Sequence, residues 1–381
     1  MSRPAAKGWC PGAYRPMMSG DGLVVRVRPL LARLTRDQVL GLCKAAQEFG
    51  SGVLDLTSRS NLQIRGVTEA NHEALLQRLF DLDLLPDDPI LESRRNILIA
   101  PFWKDGDETH SLASELTRRL GELPGLPAKV GYAVDTGPTP QFQKNSADFR
   151  FERGENTLIL RADGSDLGCP VTPESAVDAL IGMAHWFADT RGTEHRRMAV
   201  HLAQTDLPAE WRTTAPLNAA SPLAPGATDN GDIYGAAFGK IDATALAGLI
   251  NDTGAQALRV TPWRLILLEG TSFFADDTSD FITCADDPLL NIDACPGAPL
   301  CTSATVETRA LARTLAPLSR RPLHISGCSK GCARPRRCET TLVGRNGRFD
   351  LVRNGLPWDE PLIPSLTPET LAQRIGECDA L

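Results

Sequence analysis

Hydrophobic and polar positions along the 381-residue chain follow two periods, and they do so twice in the same order. Residues 22–27, 53–57 and 61–66 are short apolar runs with alternating character, the pattern of half-buried strands. Between the first two of these, residues 35–49 repeat apolar positions every three to four residues, which predicts a helix. The succession returns as strand-like 233–238, helical 243–251, and strand-like 257–261 and 264–270. Thr57 and Gly66 recur as Thr261 and Gly270, nine residues apart in each copy. Order, lengths and landmarks agree, so the pattern predicts an internal duplication of a strand–helix–strand–strand unit.

Outside the two copies the chain mixes both periods. Residues 96–100, 129–134 and 157–161 read as strands, and 109–120 and 173–188 as helices. In the tail, 305–315 and 368–376 are helical, whereas 322–325 and 340–343 are strand-like. Residues 205–230, with Pro208, Pro216, Pro222 and Pro225, resist regular structure and read as a linker. The prediction is an α+β protein of two pseudo-equivalent halves. Its segments are a first half-domain at 1–80, an α+β domain at 81–204, the linker at 205–230, a second half-domain at 231–285 and a second α+β domain at 286–381.

Composition narrows the function without naming it. Apolar residues make up 42% and charged residues 23%, as in ordinary globular proteins. A net charge of −7 excludes the basic balance of a nucleic-acid binder. The arginine pairs 94–95, 196–197, 320–321 and 336–337 read either as scattered surface charge or as the parts of one local basic pocket. The first residues lack the apolar run of a signal peptide, and no stretch approaches the ~20 apolar residues that span a bilayer. The expectation is a soluble cytoplasmic protein, in which ten cysteines are better metal ligands or buried thiols than disulfides.

Four of those cysteines form a constellation. Cys295 and Cys301 make a C-x5-C pair, and Cys328 and Cys332 a C-x3-C pair 27 residues further on. Four thiolates are the ligand set of a 4Fe-4S cluster. Gly297, Gly327 and Gly331 allow close approach of backbone N–H groups to sulfide, and Cys301 is expected near the start of the following helix, where an anionic cluster is favoured. A structural zinc site is the competing reading, but its knuckles are usually C-x2–4-C, which the first pair fits poorly. Cys43, Cys169, Cys284 and Cys378 read as packing residues. Cys338 stays ambiguous, and Cys10 opens a Cys-Pro-Gly-Ala string that repeats residues 295–298, by coincidence or as a fifth thiol for the site. His324, four residues before Cys328, suits iron ligation, proton relay or a plain hydrogen bond to backbone. His72, His110, His185, His195 and His201 show no metal-ligand spacing.

The cysteine pattern, set in His324–Ala333, and the duplicated unit ending in Thr57–Gln63 resemble the nitrite/sulfite reductase superfamily. Within it, Lys7–Ala13 followed by Ser19–Arg26 is similar to the precorrin-3B synthase family, and the resemblance covers nearly the whole chain. It implies a duplicated reductase-like fold, with ferredoxin-like half-domains, two α+β domains and pseudo-twofold symmetry. It also implies an oxygen-dependent monooxygenase acting on precorrin-3A in aerobic cobalamin biosynthesis, by C-20 hydroxylation and γ-lactone closure. The implied cofactors are the 4Fe-4S cluster and a mononuclear non-haem iron, whose ligands the chain does not reveal. The alternative is a sirohaem-dependent sulfite or nitrite reductase, in which Cys332 would bridge cluster and sirohaem. By the same resemblance Arg59, Arg95 and Lys129 match substrate-binding positions, with Arg94 an alternative to Arg95. Gly131 stands where reductases carry a second lysine, which suits a site widened for a tetrapyrrole. Readings from other classes are a small electron carrier, which the length disfavours, and a tetrapyrrole-binding protein with structural zinc. No G-x-G-x-x-G follows a strand, so NADH-derived electrons are expected through a separate reductase or ferredoxin.

Overall fold

The computed structural model describes residues 11–276 and 278–378. Its strands form four five-stranded sheets, two per half, and each sheet of the first half has a counterpart in the second.

The half-domain sheets are antiparallel and built from the predicted runs. Gly22–Val27, Leu62–Val67 and Val53–Leu56 form the centre of the first, and Gly231–Gly235, Leu265–Glu269 and Ala257–Val260 the centre of the second. Each carries its helix where periodicity predicted one. Arg36–Phe49 opens with a capping box, in which the Thr35 hydroxyl accepts the Gln38 N–H and the Gln38 side chain accepts the Thr35 N–H. Ala243–Thr253 is capped instead by Asp242, which accepts N–H groups from Thr244 and Ala245, and it stops at Gly254 in the left-handed conformation. In the second copy the strand ends at Gly235, short of the predicted 238, because the chain turns through a tight 3-10 turn there. Among the described residues the helix Glu69–Asp81 has no counterpart in the second half-domain.

Periodicity gave no sign of a reciprocal exchange between the halves. Arg33–Thr35 leaves the first half to pair with Ala257–Val260 of the second, while Lys240–Asp242 pairs with Val53–Leu56 of the first. Both follow a 3-10 turn whose last two residues take positive φ, Leu31 (52°) and Ala32 (56°) in one, Phe238 (61°) and Gly239 (75°) in the other. The exchange closes a sheet edge in each half. It buries Leu34 and Ile241 in one apolar core drawn from both halves, where the helices Arg36–Phe49 and Ala243–Thr253 pack together.

The other two sheets share a second plan: three parallel strands, then two antiparallel ones. In the first, Ile97–Ile99, Tyr132–Asp135 and Phe149–Arg153 are parallel, followed by Leu158–Ala162 and Cys169–Val171. In the second, Ile292–Ala294, Leu323–Ser326 and Cys338–Arg345 are parallel, followed by Arg348–Gly355 and Ile363–Leu366. Helices cover one face of each, Glu108–Arg118 and Ala176–Thr190 on the first, Arg309–Leu315 and Pro368–Cys378 on the second. The predicted helix 305–315 therefore starts only at Arg309, eight residues beyond Cys301, so the thiol of Cys301 does not sit at a helix start. Within the Pro-rich stretch 205–230, Thr214 and Pro216 bridge to Gly168 and Gly154, and Gly226–Thr228 forms an edge strand of the second half-domain sheet.

Two histidines separated in the sequence reading meet in the first α+β domain. The Nδ1 atoms of His195 and His201 lie 3.0 Å apart, and His201 Nε2 is 2.9 Å from the Thr190 hydroxyl. That hydroxyl donates to the Trp186 carbonyl, so it accepts from His201 Nε2–H, and His201 Nδ1 in turn accepts from His195 Nδ1–H. This chain works only with the His201 ring neutral, because its Nδ1 must accept. Burial, and then the neighbouring His195, hold the pKa of His201 below its ordinary value. A depressed histidine pKa means that the unfolded chain binds more protons, so this contribution is complete above about pH 7 and fades as pH falls below about 6.5. The melting temperature should therefore drop between pH 7.5 and 5.5, and the drop should be smaller in His201→Gln. Equal drops in the two proteins would remove the role assigned to this pair.

Candidate functional site

Parallel pairing brings the two cysteine loops together. Ile292–Ala294 and Leu323–Ser326 are neighbours in register, Ala294 beside Ile325, and each runs directly into a cysteine loop at its carboxyl end. Adjacent carboxyl ends of parallel strands are where open sheets commonly bind ligands. The loops are then tied to each other. Cys295 N–H donates to Ile325 carbonyl, Thr305 N–H donates to Gly327 carbonyl, and Lys330 Nζ donates to Ser303 Oγ at 2.7 Å. Gly297 has φ 71°, and a Cβ there would lie 2.6 Å from the Thr308 hydroxyl. A Cβ on Gly327 would meet Ala304 at the same distance, so glycine at both positions is what lets the loops close.

The four thiols lie near enough to influence one another electrostatically. Cys332 is pushed up to about 11, first by burial and then by Cys295, Cys328 and Cys301, and Cys328 is raised by burial and by Cys295 and Cys301. Neighbouring thiolates repel one another, and a cation between them relieves that repulsion. The Gly327 N–H donates to Cys295 Sγ at 3.1 Å. The donor set and the backbone N–H thus fit an iron–sulfur cluster. Among the described residues no three His, Cys, Asp or Glu side chains close on a point at metal-binding distance. The remaining cysteines stand apart. Cys338 is buried on its strand with Sγ donating to the Pro322 carbonyl, and Cys43 and Cys169 are buried. Cys284, expected to be packed, is exposed. Cys10 and the side chain of Cys378 lie outside the described residues.

The basic residues gather on the first half. Arg59 lies in the turn between Val53–Leu56 and Leu62–Val67, where the Thr57 hydroxyl accepts N–H groups from Arg59 and Asn61 and Ser60 takes positive φ. Its Nη2 donates to the Lys129 carbonyl at 2.9 Å, which joins two of the expected residues. Lys129 itself sits in a turn, since the strand predicted from 129 begins at Tyr132. Arg95 follows the short helix Pro89–Arg94 and donates to the Arg28 carbonyl. Burial lowers its pKa, and its Nε makes no hydrogen bond among the described residues. Arg94 makes two 3.0 Å bonds to the carbonyls of Leu120 and Leu123. At Gly131 a Cβ would press to 3.2 Å from the Asn96 carbonyl.

Sequence reasoning missed Arg26 and Arg28. Both are buried, and Arg28 pairs with buried Glu92, which also accepts the Ala13 N–H. Arg26 lies on the strand Gly22–Val27 and Arg28 just past its end. His324 is fully buried with both ring nitrogens lacking a hydrogen-bond partner among the described residues, so the expected bond to backbone is absent. Burial holds its pKa down to about 4, with Asp293 opposing and Arg334 reinforcing the shift.

Residues 15–81 match the nitrite/sulfite reductase ferredoxin-like half domain. Over 92% of its length the chain is 31% identical to a precorrin-3B synthase from a Sinorhizobium species, and it covers 83% of that protein. The chain belongs to the precorrin-3B synthase family. It is therefore an oxidoreductase of cobalamin biosynthesis within the nitrite/sulfite reductase superfamily. The fold of this precorrin-3B synthase family member is also that of the NirA protein of Mycobacterium tuberculosis, with a TM-score of 0.67, 18% identity, and 94% of this chain and 80% of that one covered. The duplicated α+β architecture expected from the sequence is thus the observed one. No helix among the described residues is long and apolar enough to cross a membrane.

Proposed function

We propose that this chain converts precorrin-3A to precorrin-3B as an oxygen-dependent monooxygenase. The observation that carries the reading is the likeness to a precorrin-3B synthase along 92% of the chain. The neighbouring cysteines support it, as ligands of a 4Fe-4S cluster held by Cys295, Cys301, Cys328 and Cys332. When bound, the cluster supplies one-electron transfer, and the second iron group of the family supplies oxygen activation. In balance, one atom of O2 enters at C-20 as hydroxyl, and the other leaves as water with two electrons and two protons. Closing the γ-lactone from an acetate side chain changes no further oxidation level.

The chain's own part is binding and placement. Precorrin-3A is a polycarboxylate, and Arg59, Arg95 and Lys129 are the side chains we assign to its peripheral carboxylates, with Arg26 and Arg28 beside them. The domain limits follow the same proposal, with substrate cations on the first half and cluster ligands at 286–381. Electrons are assigned to a separate reductase or ferredoxin that draws on NADH, because the sequence carries no dinucleotide fingerprint.

Anaerobically purified protein, supplied with precorrin-3A, an electron donor and labelled O2, should give a product carrying one labelled oxygen. An intense Soret-type band in the isolated protein, with sulfite or nitrite reduced and no label incorporated, would establish the sirohaem reductase instead.

A further inference from the structure

The cluster loop is held by the opposite half of the molecule, through a single carbonyl. Leu300, immediately before Cys301, accepts the Gly20 N–H at 3.1 Å, the Ser19 hydroxyl at 2.7 Å and Arg65 Nη2 at 3.3 Å. Arg65 is itself fixed: it forms a bidentate pair with Asp21 (2.9 and 2.7 Å) and reaches Asp55 at 3.2 Å. Asp55 in turn accepts Arg309 at 2.9 Å, from the helix that follows the cluster loop. All four side chains are buried, with between 6% and 14% of each exposed, so their charges are poorly screened. Across a trans peptide the C=O and the next N–H point in opposite directions. A Leu300 carbonyl turned towards the first half therefore turns the Cys301 N–H away from it, back into its own loop, and that N–H makes no hydrogen bond among the described residues.

The contact is tight as well as polar. A Cβ on Gly20 would lie 2.3 Å from the Pro299 carbonyl oxygen and 3.2 Å from the Cys301 nitrogen, both backbone atoms that could yield only by moving the loop.

The duplication supplies an internal comparison. Counted from the Thr and Gly landmarks, Asp55 and Arg65 correspond to Arg259 and Glu269, the same ion pair with its charges exchanged. There Arg259 donates to the carbonyls of Pro101 and Trp103, in the loop after the equivalent parallel strand, which has no cysteine. Instead of a docked hairpin this side has an open cleft of about 440 Å³. The clamp is thus a feature of both halves, and only the first grips a cysteine loop.

We propose that Arg65 is a positioning residue for the cluster: with Gly20 and Asp21 it sets the orientation of the Leu300–Cys301 peptide, and the charge balance of its network sets the ease with which the cluster accepts an electron. The inference rests on the cluster assignment above. Arg65 and Arg309 balance Asp21 and Asp55, so removing Arg65 leaves an excess buried negative charge beside the cluster and disfavours reduction.

The test uses holoenzyme with iron and sulfide content matched to wild type, titrated spectroelectrochemically and examined by electron paramagnetic resonance. Arg65→Met should shift the cluster midpoint potential negative, and Arg65→Lys should shift it less. Gly20→Ala, which changes no charge, should alter the resonance line shape. Arg259→Met, at the loop without cysteines, should leave both signals at wild-type values. Should Arg65→Met fail to fold, Arg65→Lys and Gly20→Ala still decide the matter. Unchanged potential and line shape in these variants would overturn the proposal, as would an equal shift in Arg259→Met. Wild-type protein without iron and sulfide would instead defeat the cluster assignment itself.

Discussion

Replacing Cys328 or Cys332 with serine is expected to reduce both iron–sulfur absorption and turnover to background. A serine hydroxyl is a harder and far less acidic donor than a thiol, and it does not replace thiolate at an iron–sulfur cluster. Here the loss should be complete, because the loops carrying Cys295 and Cys328 leave neighbouring strands and share their hydrogen bonds, so a missing ligand cannot be replaced from nearby. The nearest further thiol in sequence, Cys338, is buried and donates to the Pro322 carbonyl. Cys338→Ser is therefore the matched control: it should retain iron, acid-labile sulfide and activity. Retained cluster and full activity in Cys328→Ser would defeat the assignment of these four ligands.

Arg59→Ala is the second large effect. A charge-assisted hydrogen bond to a carboxylate is worth about 1.5–3 kcal/mol, so precorrin-3A should bind on the order of 10- to 100-fold more weakly. The visible spectrum of the cluster should be unchanged. Arg59 also donates to the Lys129 carbonyl, so alanine removes a cation and loosens the turn carrying the second. Arg59→Lys keeps the charge but not the planar fork and should fall between the two. Arg94→Ala separates recognition from folding, because that guanidinium is bound to the Leu120 and Leu123 carbonyls. It should lower thermal stability and leave substrate affinity near wild type. Wild-type affinity in Arg59→Ala would take this arginine out of the site.

The duplicated unit was legible because its strands and helix are amphipathic, and amphipathic elements write their period into the chain. The capping box at Thr35 and the glycine at 254, found in the structure, depend on local sequence too. Other strands left weaker traces. In Phe149–Arg153 both faces are buried, and Arg150 and Glu152 occupy the second face in pairs with Asp163 and Arg161, so its polar positions do not mark solvent. The three-residue strands Arg33–Thr35 and Lys240–Asp242 are too short to show a period, and their partners lie some two hundred residues away. The meeting of His195 and His201 escaped notice for a related reason: a turn, not a helix face, brings their rings together.

Sequence alone determined the α+β class, the two-half plan and the candidate ligands, since each depends on local periodicity or on residue type at short spacing. It also marked Arg59, Arg95 and Lys129, though only through family likeness. Tertiary structure decided what those residues face. It bound Arg94 to the Leu120 and Leu123 carbonyls, placed Arg59 against the lysine turn, and left His324 buried with no hydrogen bond among the described residues. It also set the Leu300 carbonyl on a clamp from the other half. Such contacts join positions up to 281 residues apart, and no local pattern encodes a partner at that distance. They form only when both halves have folded and exchanged strands, because the shared apolar core then fixes where each polar face must lie.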